Sequence, residues 1–503
     1  MSASVFLLWL VSIPIVFLHA ADQPPPKGFL LNCGSEEEVK LSDLKFIPDN
    51  EYINTGNKTT LKQKDVHPLL ATVRFFPDTS ATKYCYSFQV PKDAKYMVKT
   101  MYYYGGFDGG KEPPVFDQII DGTKWSIVNT TEDYANGLSS FYEIVVTAHA
   151  KTLSVCLARN KNTNSSPFIS SIELQNLDAS LYNTTDFNKF ALTNVARSSF
   201  GYNGEQISSP DDKFNRFWQP FMDDNPVVDS KVNITPTAFW NIPPTKLFAN
   251  GITTSRGKTL NVKWPQFLLP SSTYYIALYF QENRNPSPES WRVFSVTING
   301  MKFYDDVNVT TNGVTVYATQ WPLSGQLEIV MTPQNDMPVG PVINGGEIFQ
   351  ILRLGGVTNA KDVLALEELA KSFDNKPSDW RGDPCLPKEN SWTGVKCSDQ
   401  GFRVTSLNLT GVGLSGSLSK SIDDLTALNH LLLGSNKLSG PIPEMKSLKA
   451  LQTLHLENNQ FEGQIPASLA ELTDLKEIFL QNNNLDGNIP DALKNKNGIK
   501  IQV

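Results

Sequence analysis

The sequence predicts a mainly β protein in which two consecutive β-sandwiches precede a short solenoid of parallel strands. Three observations predict this class. Residues 28–356 hold short alternating apolar runs separated by Gly, Pro, Asn and Asp, which is typical of sandwich strands. One order of motifs appears twice within that segment. A pattern of 23 or 24 residues then recurs four times between positions 404 and 490, and such a period indicates a solenoid.

The two sandwiches, named here sandwich A (residues 28–185) and sandwich B (residues 190–356), repeat one plan. Each has a tyrosine-rich strand, then a strand that ends in Asp-Gly or Asn-Gly, then a closing strand that carries a glutamate. These segments are residues 96–108, 116–122 and 167–174 in sandwich A, and residues 273–280, 294–300 and 341–349 in sandwich B. Tandem domains of similar size are the simplest interpretation.

The solenoid is predicted from the template Leu428-x-x-Leu431-x-Leu433-x-x-Asn436-x-Leu438-x-Gly440-x-Ile442-Pro443. This spacing is that of a leucine-rich repeat, in which the Leu-x-Leu pair is a short strand with both side chains directed inward. The asparagine is expected to bond the backbone of its own turn and of the neighbouring turn. We predict four repeats over residues 404–493, which are stable only when stacked, and a C-terminal tail over residues 494–503.

Residues 358–400 are predicted to cap the open end of the solenoid. They begin with a helix for which we expect an N-cap at Thr358 and an apolar face of Val363, Leu366, Ala370 and Phe373. Two tryptophans and two cysteines follow and would close the end. The tripeptide Arg381–Asp383 has the composition of an adhesion motif, but a turn inside the cap is the favoured interpretation.

The sequence contains five cysteines, and one disulfide can be predicted from their spacing. Cys385 and Cys397 lie close together in the sequence, and we expect a disulfide between them in an oxidising compartment. Closing so short a loop contributes about 3 kcal/mol in the chain-entropy model. Cys33, Cys85 and Cys156 can form at most one further pair, and the sequence leaves that pairing open.

Residues 1–21 are predicted to be a secretory signal peptide. The apolar run Val5–Leu18 is shorter than the roughly 18 to 20 residues that span a bilayer, and small residues follow it; a first buried helix is the alternative. No later stretch is apolar over such a length, so no membrane span is expected in the mature chain. We therefore expect a secreted, extracellular protein of the apoplast or cell wall.

Composition agrees with that compartment. The net charge of −7 shows no excess of Lys and Arg with which to bind a phosphate backbone, so nucleic acid is not an expected partner. Seven N-x-Ser/Thr motifs predict a glycoprotein. The expected N-glycosylation sites are Asn57, Asn129, Asn164, Asn183, Asn233, Asn308 and Asn408.

Several segments of the two sandwiches resemble the plant malectin-like extracellular domain. The resemblance lies in Gly28–Gly34, Tyr102–Gly109, Cys156–Arg159 with Pro167–Leu174, and Trp291–Gly300. Trp380–Cys385 followed by Trp392–Cys397 is similar to the junction between the malectin-like and repeat regions of leucine-rich-repeat receptor kinases and related receptor-like proteins. The resemblance implies tandem malectin-like β-sandwiches followed by a short leucine-rich-repeat solenoid.

The resemblance also implies a sugar site, because the animal malectin that names the family holds a glucose disaccharide with aromatic side chains and an aspartate in sandwich loops. Aromatic faces stack on sugar C–H surfaces, and a carboxylate orients hydroxyl groups. The alternative is that the tyrosines are sandwich core. The matching positions, which are our carbohydrate-binding candidates, are Tyr102, Tyr104, Phe107 and Asp108, with Tyr279 and Glu282 in the second copy.

A second candidate surface is the concave face of the repeats, formed by the residues that flank the buried leucines. Exposed apolar side chains on such a face tend to mark a partner site, although single exposed apolar residues are also common on surfaces without a partner. The protein-binding candidates are Leu432, His455, Glu457, Phe479 and Gln481.

The motifs of catalysis are missing from the sequence. No His-Arg-Asp loop, Asp-Phe-Gly motif or glycine-rich loop with a strand lysine follows the repeats, and no Gly-x-Ser-x-Gly elbow occurs. The five histidines lack metal-ligand spacing, so we expect no metal and no cofactor. A cell-wall enzyme, the alternative, would need two carboxylates roughly 5 to 10 Å apart in a cleft.

We therefore expect a secreted, non-enzymatic recognition protein that binds a carbohydrate or peptide in plant cell-wall or receptor-complex signalling. A membrane receptor kinase or a co-receptor is a further expected partner. Two alternatives stay open at the level of sequence: a dedicated cell-wall carbohydrate-binding module, and a truncated form of a membrane receptor kinase.

Overall fold

A computed structural model describes residues 28–63, 65–110, 112–231, 239–486 and 488–503. The expected signal peptide and the Asn233 glycosylation site lie outside these residues. The chain is mostly β structure, as the alternating runs predict, and strand β20 shows the pattern clearly, because it buries every second residue over Trp291–Ile298.

Sandwich A combines part of one long sheet with a second layer, and its core lies between them. The second layer has the strand order β6-β11-β8-β9. The elements of sandwich A are β1 (Gly28–Asn32), β2 (Val39–Leu41), β3 (Leu44–Pro48), β4 (Asn57–Thr60), β5 (Thr72–Phe75), β6 (Tyr84–Gln89), β7 (Lys95–Tyr102), β8 (Val115–Ile120), β9 (Thr123–Asn129), α1 (Thr131–Ala135), β10 (Ser140–Thr147), β11 (Thr152–Arg159), β12 (Phe168–Ile169) and β13 (Ser171–Asn176).

Sandwich B repeats this plan, with a second layer in the order β18-β23-β20-β21. Its strands are β14 (Phe190–Phe200), β15 (Gln219–Phe221), β16 (Val227–Asp229), β17 (Asn250–Thr253), β18 (Leu260–Lys263), β19 (Leu269–Phe280), β20 (Trp291–Ile298), β21 (Met301–Thr310), β22 (Val314–Gly325), β23 (Glu328–Pro333), β24 (Val342–Ile343) and β25 (Gly345–Arg353).

The two sandwiches share one long sheet. Its strand order is β2-β3-β1-β13-β7-β10-β14-β25-β19-β22, and the step from sandwich A to sandwich B is the antiparallel pairing of Ile144 with Thr193 and Val145 with Leu192. Buried charges cross the same seam. The guanidinium of Arg197 on β14 lies 2.6 Å from Glu143 on β10 and 2.7 Å from Glu347 on β25. The sandwiches are therefore fused by strand pairing and buried ion pairs.

The disulfide that the sequence left open joins Cys85 to Cys156. These residues lie directly opposite each other on β6 and β11, so the bond links adjacent strands of one layer. Cys33 is a buried free thiol. The expected disulfide between Cys385 and Cys397 is present in the cap.

Cap and solenoid follow sandwich B. Their elements are α2 (Ala360–Ser372), β26 (Val395–Cys397), β27 (Val404–Asn408), β28 (Ser415–Ser417), β29 (His430–Leu432), β30 (Lys437–Pro441), β31 (Thr453–His455), β32 (Gln460–Gly463), β33 (Glu477–Phe479), β34 (Asn484–Leu485), α3 (Asp491–Lys494) and β35 (Lys500–Gln502). The concave sheet has the order β26-β27-β29-β31-β33-β35, and the outer sheet has the order β28-β30-β32-β34.

The repeats confirm the expected role of their leucines and asparagines. Leu431 and Leu433 are fully buried, whereas Leu432 between them is half-buried and lies on the opposite, concave face. The Asn436 amide donates to Leu433 O of its own turn at 2.9 Å and to Leu409 O of the preceding turn at 2.8 Å. Asn side chains thus connect successive coils, which individually bury too little surface to be stable.

The segment expected to be a tail instead continues the solenoid. Strand β35 pairs in parallel with β33, with Ile501 opposite Ile478. The sequence signal was weak because only Ile501 and Val503, each 23 residues after its counterpart Ile478 or Leu480, repeat the template. The extra strand places Lys500 on the concave face.

The cap helix begins one residue later than expected. Asn359 is its N-cap and accepts from the Lys361 N–H, while the Thr358 hydroxyl bonds Asp383. The apolar face buries Ala365, Leu366, Leu369, Ala370 and Phe373, whereas Val363 is only half-buried. Asn359 is the N-cap because its side-chain oxygen can accept from the helix N-terminus, whereas the Thr358 hydroxyl already donates to the Asp383 carboxylate.

The tripeptide Arg381–Asp383 lies in the contact between the cap and sandwich A. A Cβ on Gly382 would lie 2.9 Å from Cys85 Sγ and 3.1 Å from Cys156 Sγ. The buried Lys83 ammonium donates to Asp383 O at 2.5 Å and Leu386 O at 2.9 Å, and burial lowers the pKa of Lys83 to about 8. The motif is therefore a contact between the two regions, in keeping with a turn inside the cap.

Candidate functional site

Tyr102 lies in the core of sandwich A. Its side chain is 1% exposed, and its hydroxyl donates to Gln118 Oε1 at 2.9 Å. The ring packs edge-to-face on Phe116 and Phe168 at 5.5 and 6.0 Å between centroids. No face of the ring is open, so the burial of Tyr102 does not fit the expected stacking on a sugar.

A loop after β7 brings Tyr104, Phe107 and Asp108 together. Tyr104 is buried and its hydroxyl donates to the exposed Asp108 carboxylate, which also accepts from Ser165. Phe107 is half-buried against Phe75, with 5.0 Å between ring centroids. The loop presents one carboxylate to solvent, while the Tyr104 ring belongs to the core.

Tyr279 lies at the end of β19 in sandwich B, and Glu282 follows shortly after that strand. The polar groups of both side chains already have partners within the protein. The buried Tyr279 hydroxyl donates to Glu347 Oε2 at 2.6 Å. Glu282 is buried between Arg284 and Arg292, at 2.9 and 2.8 Å. Burial alone would raise the pKa of the Glu282 carboxyl. Hydrogen bonds from these guanidinium groups outweigh that effect and lower the pKa of Glu282 to about 2. The expected sugar-orienting role does not fit a carboxylate held in this way.

The concave face is defined here as the outward residues of β27, β29, β31, β33 and β35 with the residues that follow those strands. It forms rows of equivalent positions across successive repeats, because the strands pair in register. The rows are Ser406, His430, Thr453, Glu477 and Lys500; Asn408, Leu432, His455, Phe479 and Gln502; and Thr410, Gly434, Glu457 and Gln481.

An aromatic and charged cluster occupies the C-terminal part of this face. The His455 ring stacks on the Phe479 ring at 4.3 Å, and Lys500 Nζ lies 4.5 Å from the centre of the Phe479 ring. Glu477 contacts His455 Nε2 at 3.2 Å and Lys500 Nζ at 2.9 Å. The hydrogen bond from Lys500 lowers the pKa of Glu477. The charge of Glu477 is thus compensated within the face.

The third row differs, because two of its side-chain oxygens lack partners. Glu457 Oε2 and Gln481 Oε1 are both buried, and neither has a hydrogen-bond partner among the residues the structure describes. Glu457 lies across Gly434 of the preceding repeat, where an added Cβ would meet Glu457 Oε1 at 2.4 Å. The coils that carry Glu457 and Gln481 are adjacent, since the Asn458 N–H donates to Gln481 O at 2.9 Å.

Asn57, Asn129, Asn164, Asn183, Asn308 and Asn408, the expected glycosylation sites within the described residues, are all exposed. Asn408 lies on the concave face, opposite Leu432. In the described part of the chain, no helix is long and apolar enough to cross a membrane, and no group of three or more His, Cys, Asp or Glu side chains is arranged to hold a metal ion.

Family models match most of the chain. The malectin-like domain model matches residues 31–351, which span both sandwiches and their shared sheet. The leucine rich repeat N-terminal domain model matches residues 359–398, and the leucine rich repeat model matches residues 450–472 and 474–496.

Similar curated proteins include receptor kinases of Arabidopsis thaliana. A receptor-like protein kinase is 32% identical over 438 residues, covering 82% of this chain and 47% of the relative. A probable LRR receptor-like serine/threonine-protein kinase is 30% identical over 466 residues, covering 88% of this chain and 49% of the relative. The chain thus spans about half the length of these relatives.

Solved structures share the fold of the sandwich region. The ANX2 ectodomain from Arabidopsis thaliana has a TM-score of 0.54 and 17% identity, covering 65% of this chain and 97% of that chain. A chain in the complex of the plant peptide RALF23 with FER and LLG2 has a TM-score of 0.53 and 18% identity, covering 66% and 96%. With the family matches, these observations show that the chain belongs to the malectin-like family, in the ectodomain form in which leucine-rich repeats follow the malectin-like domain.

Proposed function

We propose that this protein is an extracellular, non-enzymatic recognition protein that binds a peptide ligand on its concave face. The observation that carries the proposal is the pair of unpaired acceptors, Glu457 Oε2 and Gln481 Oε1, beside the half-buried Leu432 and the His455–Phe479 stack. Buried polar groups in folded proteins almost always have partners. A surface that combines unpaired acceptors with apolar contacts is suited to a ligand that provides the donors.

The rest of the molecule supports this choice of surface. Tyr102, Tyr104 and Tyr279 contribute to cores, and Glu282 is held by two arginines. A platform of this size suits a short peptide or the edge of a co-receptor better than a large ligand. The likeness of the sandwich region to a chain in the complex of the plant peptide RALF23 with FER and LLG2 supports a peptide as the class of ligand rather than the choice of face, with a membrane receptor kinase or co-receptor as a further partner.

The proposed compartment is the cell exterior, in the apoplast or cell wall. Two disulfides, Cys85–Cys156 and Cys385–Cys397, persist in oxidising compartments, and the exposed N-x-Ser/Thr asparagines are accessible to glycosylation. Enzymatic deglycosylation followed by mass spectrometry of protein secreted from plant cells tests this part, and peptides in which all of these asparagines are unmodified would contradict it.

The binding proposal is tested by selecting peptides from a displayed random library against the purified protein. The variant Leu432→Lys places a positive charge in the middle row and is expected to lose the selected binders. Leu364→Lys is the matched control, because Leu364 is 62% exposed on the cap helix, away from the concave sheet. Binders that bind both variants as well as wild type, or a selection that yields no binder, would overturn the proposal.

A carbohydrate is the second candidate ligand, favoured by the exposed Asp108 carboxylate beside the half-buried Phe107. A glycan array measures it directly. Saturable binding that is lost in Asp108→Asn, but kept in Asp474→Asn on the exposed surface of the repeats, would support this function. Absence of glycan binding, with peptide binding intact, leaves the concave face as the ligand site.

A further inference from the structure

We infer that Glu457 and Gln481 form a subsite for the guanidinium group of an arginine in the bound peptide. This inference rests on the proposed function, which it deepens by naming the ligand chemistry. It concerns the third row of the concave face, where the sequence places Gly434, Glu457 and Gln481 in three successive repeats.

Charge is the first argument for a basic ligand group. On the concave face, Glu477 forms an ion pair with Lys500 and contacts the His455 ring. Glu457 forms no ion pair with any residue that the structure describes, so its carboxylate is the acidic group of this face that no cation compensates. A cationic side chain complements it, and an acidic side chain at this position would be repelled.

Spacing is the second argument and favours arginine. Glu457 and Gln481 each follow a concave strand by the same number of residues, because Leu454 pairs with Ile478 and both side chains lie three positions later. Neighbouring strands are about 4.8 Å apart. The N–H groups of a guanidinium are arranged in a planar fork that can donate to two neighbouring acceptors at once, whereas an ammonium acts as a point charge.

Unpaired acceptors are the third argument. Glu457 Oε2 and Gln481 Oε1 are screened from water without receiving a hydrogen bond, which costs free energy in the unbound protein. Gly434 provides the space in which the Glu457 carboxylate rests. When the peptide binds, rotation of the Glu457 side chain turns the carboxylate toward the guanidinium, and both acceptors gain donors.

The apolar neighbours complete the subsite. Leu432 and the stacked pair of His455 and Phe479 form the middle row next to the acceptors. Phe479 already has one cation above its ring, the Lys500 ammonium at 4.5 Å. The aliphatic stem of an arginine packs on such side chains while its head reaches the acceptors. The occupant we propose is therefore an extended peptide segment with one arginine.

A double-mutant cycle tests the inference with peptides selected from the displayed random library. Each selected peptide is resynthesised with its arginine replaced by citrulline, which keeps the shape and removes the charge. We expect arginine to be enriched at one position and the replacement to weaken binding to wild type by about tenfold. In Glu457→Gln the two peptides should bind almost equally. Glu462→Gln, an exposed glutamate on the outer strand β32, is the control and should behave as wild type.

The outcomes separate the inference from the proposed function. Peptides that need Leu432 but show no arginine enrichment, or that bind equally with citrulline, would overturn the arginine subsite and leave the concave face as a ligand site. The same holds if the loss on citrulline replacement persists in Glu457→Gln. If no peptide depends on Leu432, both the subsite and the proposed function fall.

Discussion

The sandwiches and the repeat face hold buried glutamate carboxylates in different ways. In the sandwiches, the buried Glu282 and Glu347 each contact at least one arginine within 3 Å. On the concave face, Glu457 has an oxygen that is buried and without a partner in the described structure. The ion pairs indicate that the sandwich glutamates stabilise the fold, whereas we propose that the Glu457 carboxylate receives its hydrogen bonds from a ligand.

The largest effect on stability is expected from Arg197→Met at the seam of the two sandwiches. The change leaves Glu143 and Glu347 buried near each other without their shared cation, which costs about 3 to 5 kcal/mol in the free energy of unfolding. Denaturant unfolding measures it. Lys189→Met removes only the exposed pair with Asp186 and should leave stability nearly unchanged. Equal stability of the two variants would contradict the role of the seam.

Glu282→Gln is expected to destabilise the protein by about 3 kcal/mol near neutral pH, because it leaves the buried Arg292 without its carboxylate. The folded-state pKa of Glu282 is lowered from 4.5 to about 2, so its contribution is fully present above pH 4.5 and is lost as pH falls toward 2. The stability difference between wild type and variant should therefore shrink over this interval in urea titrations. A difference that stays constant with pH would contradict the ion-pair explanation.

Gly382→Ala is expected to have a smaller effect, of about 1 to 3 kcal/mol, at the contact between the cap and sandwich A. Its Cβ would press on the Cys85–Cys156 disulfide. Gly257→Ala is a matched control, since Gly257 has nearly the same φ, +69° against +70°, with no atom near its Cβ position. Calorimetry of both variants separates the packing cost from the backbone cost, and equal shifts in Tm would show that the contact is not tight.

Glu457→Gln is expected to have the smallest effect on stability, within about 0.5 kcal/mol, since no partner in the described structure depends on its charge. This result would sharpen the contrast with Glu282→Gln, because both changes remove one carboxylate charge from a glutamate. A loss of stability as large as that of Glu282→Gln would mean that Glu457 supports the fold.

The sequence predicts what repeats along the chain and misses what depends on distant pairing. The inward leucines, the asparagine ladder and the Cys385–Cys397 bond follow from local spacing, and the structure confirms them. The pairing of β10 with β14 has no local signature, because a strand at the edge of a sheet resembles one in the middle. Tyr102 could not be assigned to core or surface, since tyrosine suits both environments.

The same difference between local repetition and distant packing decides which residues of the candidate sites can be predicted from the sequence. Leu432, His455 and Phe479 follow from repeat register alone, because every repeat places the same positions on the concave face. Lys500 was missed because its repeat is incomplete in sequence, although Ile501 marked the register. The lack of partners around Glu457 appears only when the packing of neighbouring coils is known.

Hydrogen–deuterium exchange with and without a selected peptide tests most directly whether the concave face is the ligand site. The peptide is expected to slow exchange of backbone amides in residues 453–459 and 477–483, and to leave the loop of residues 104–110 unchanged. Protection confined to residues 104–110 would contradict this account and would move the ligand site to sandwich A.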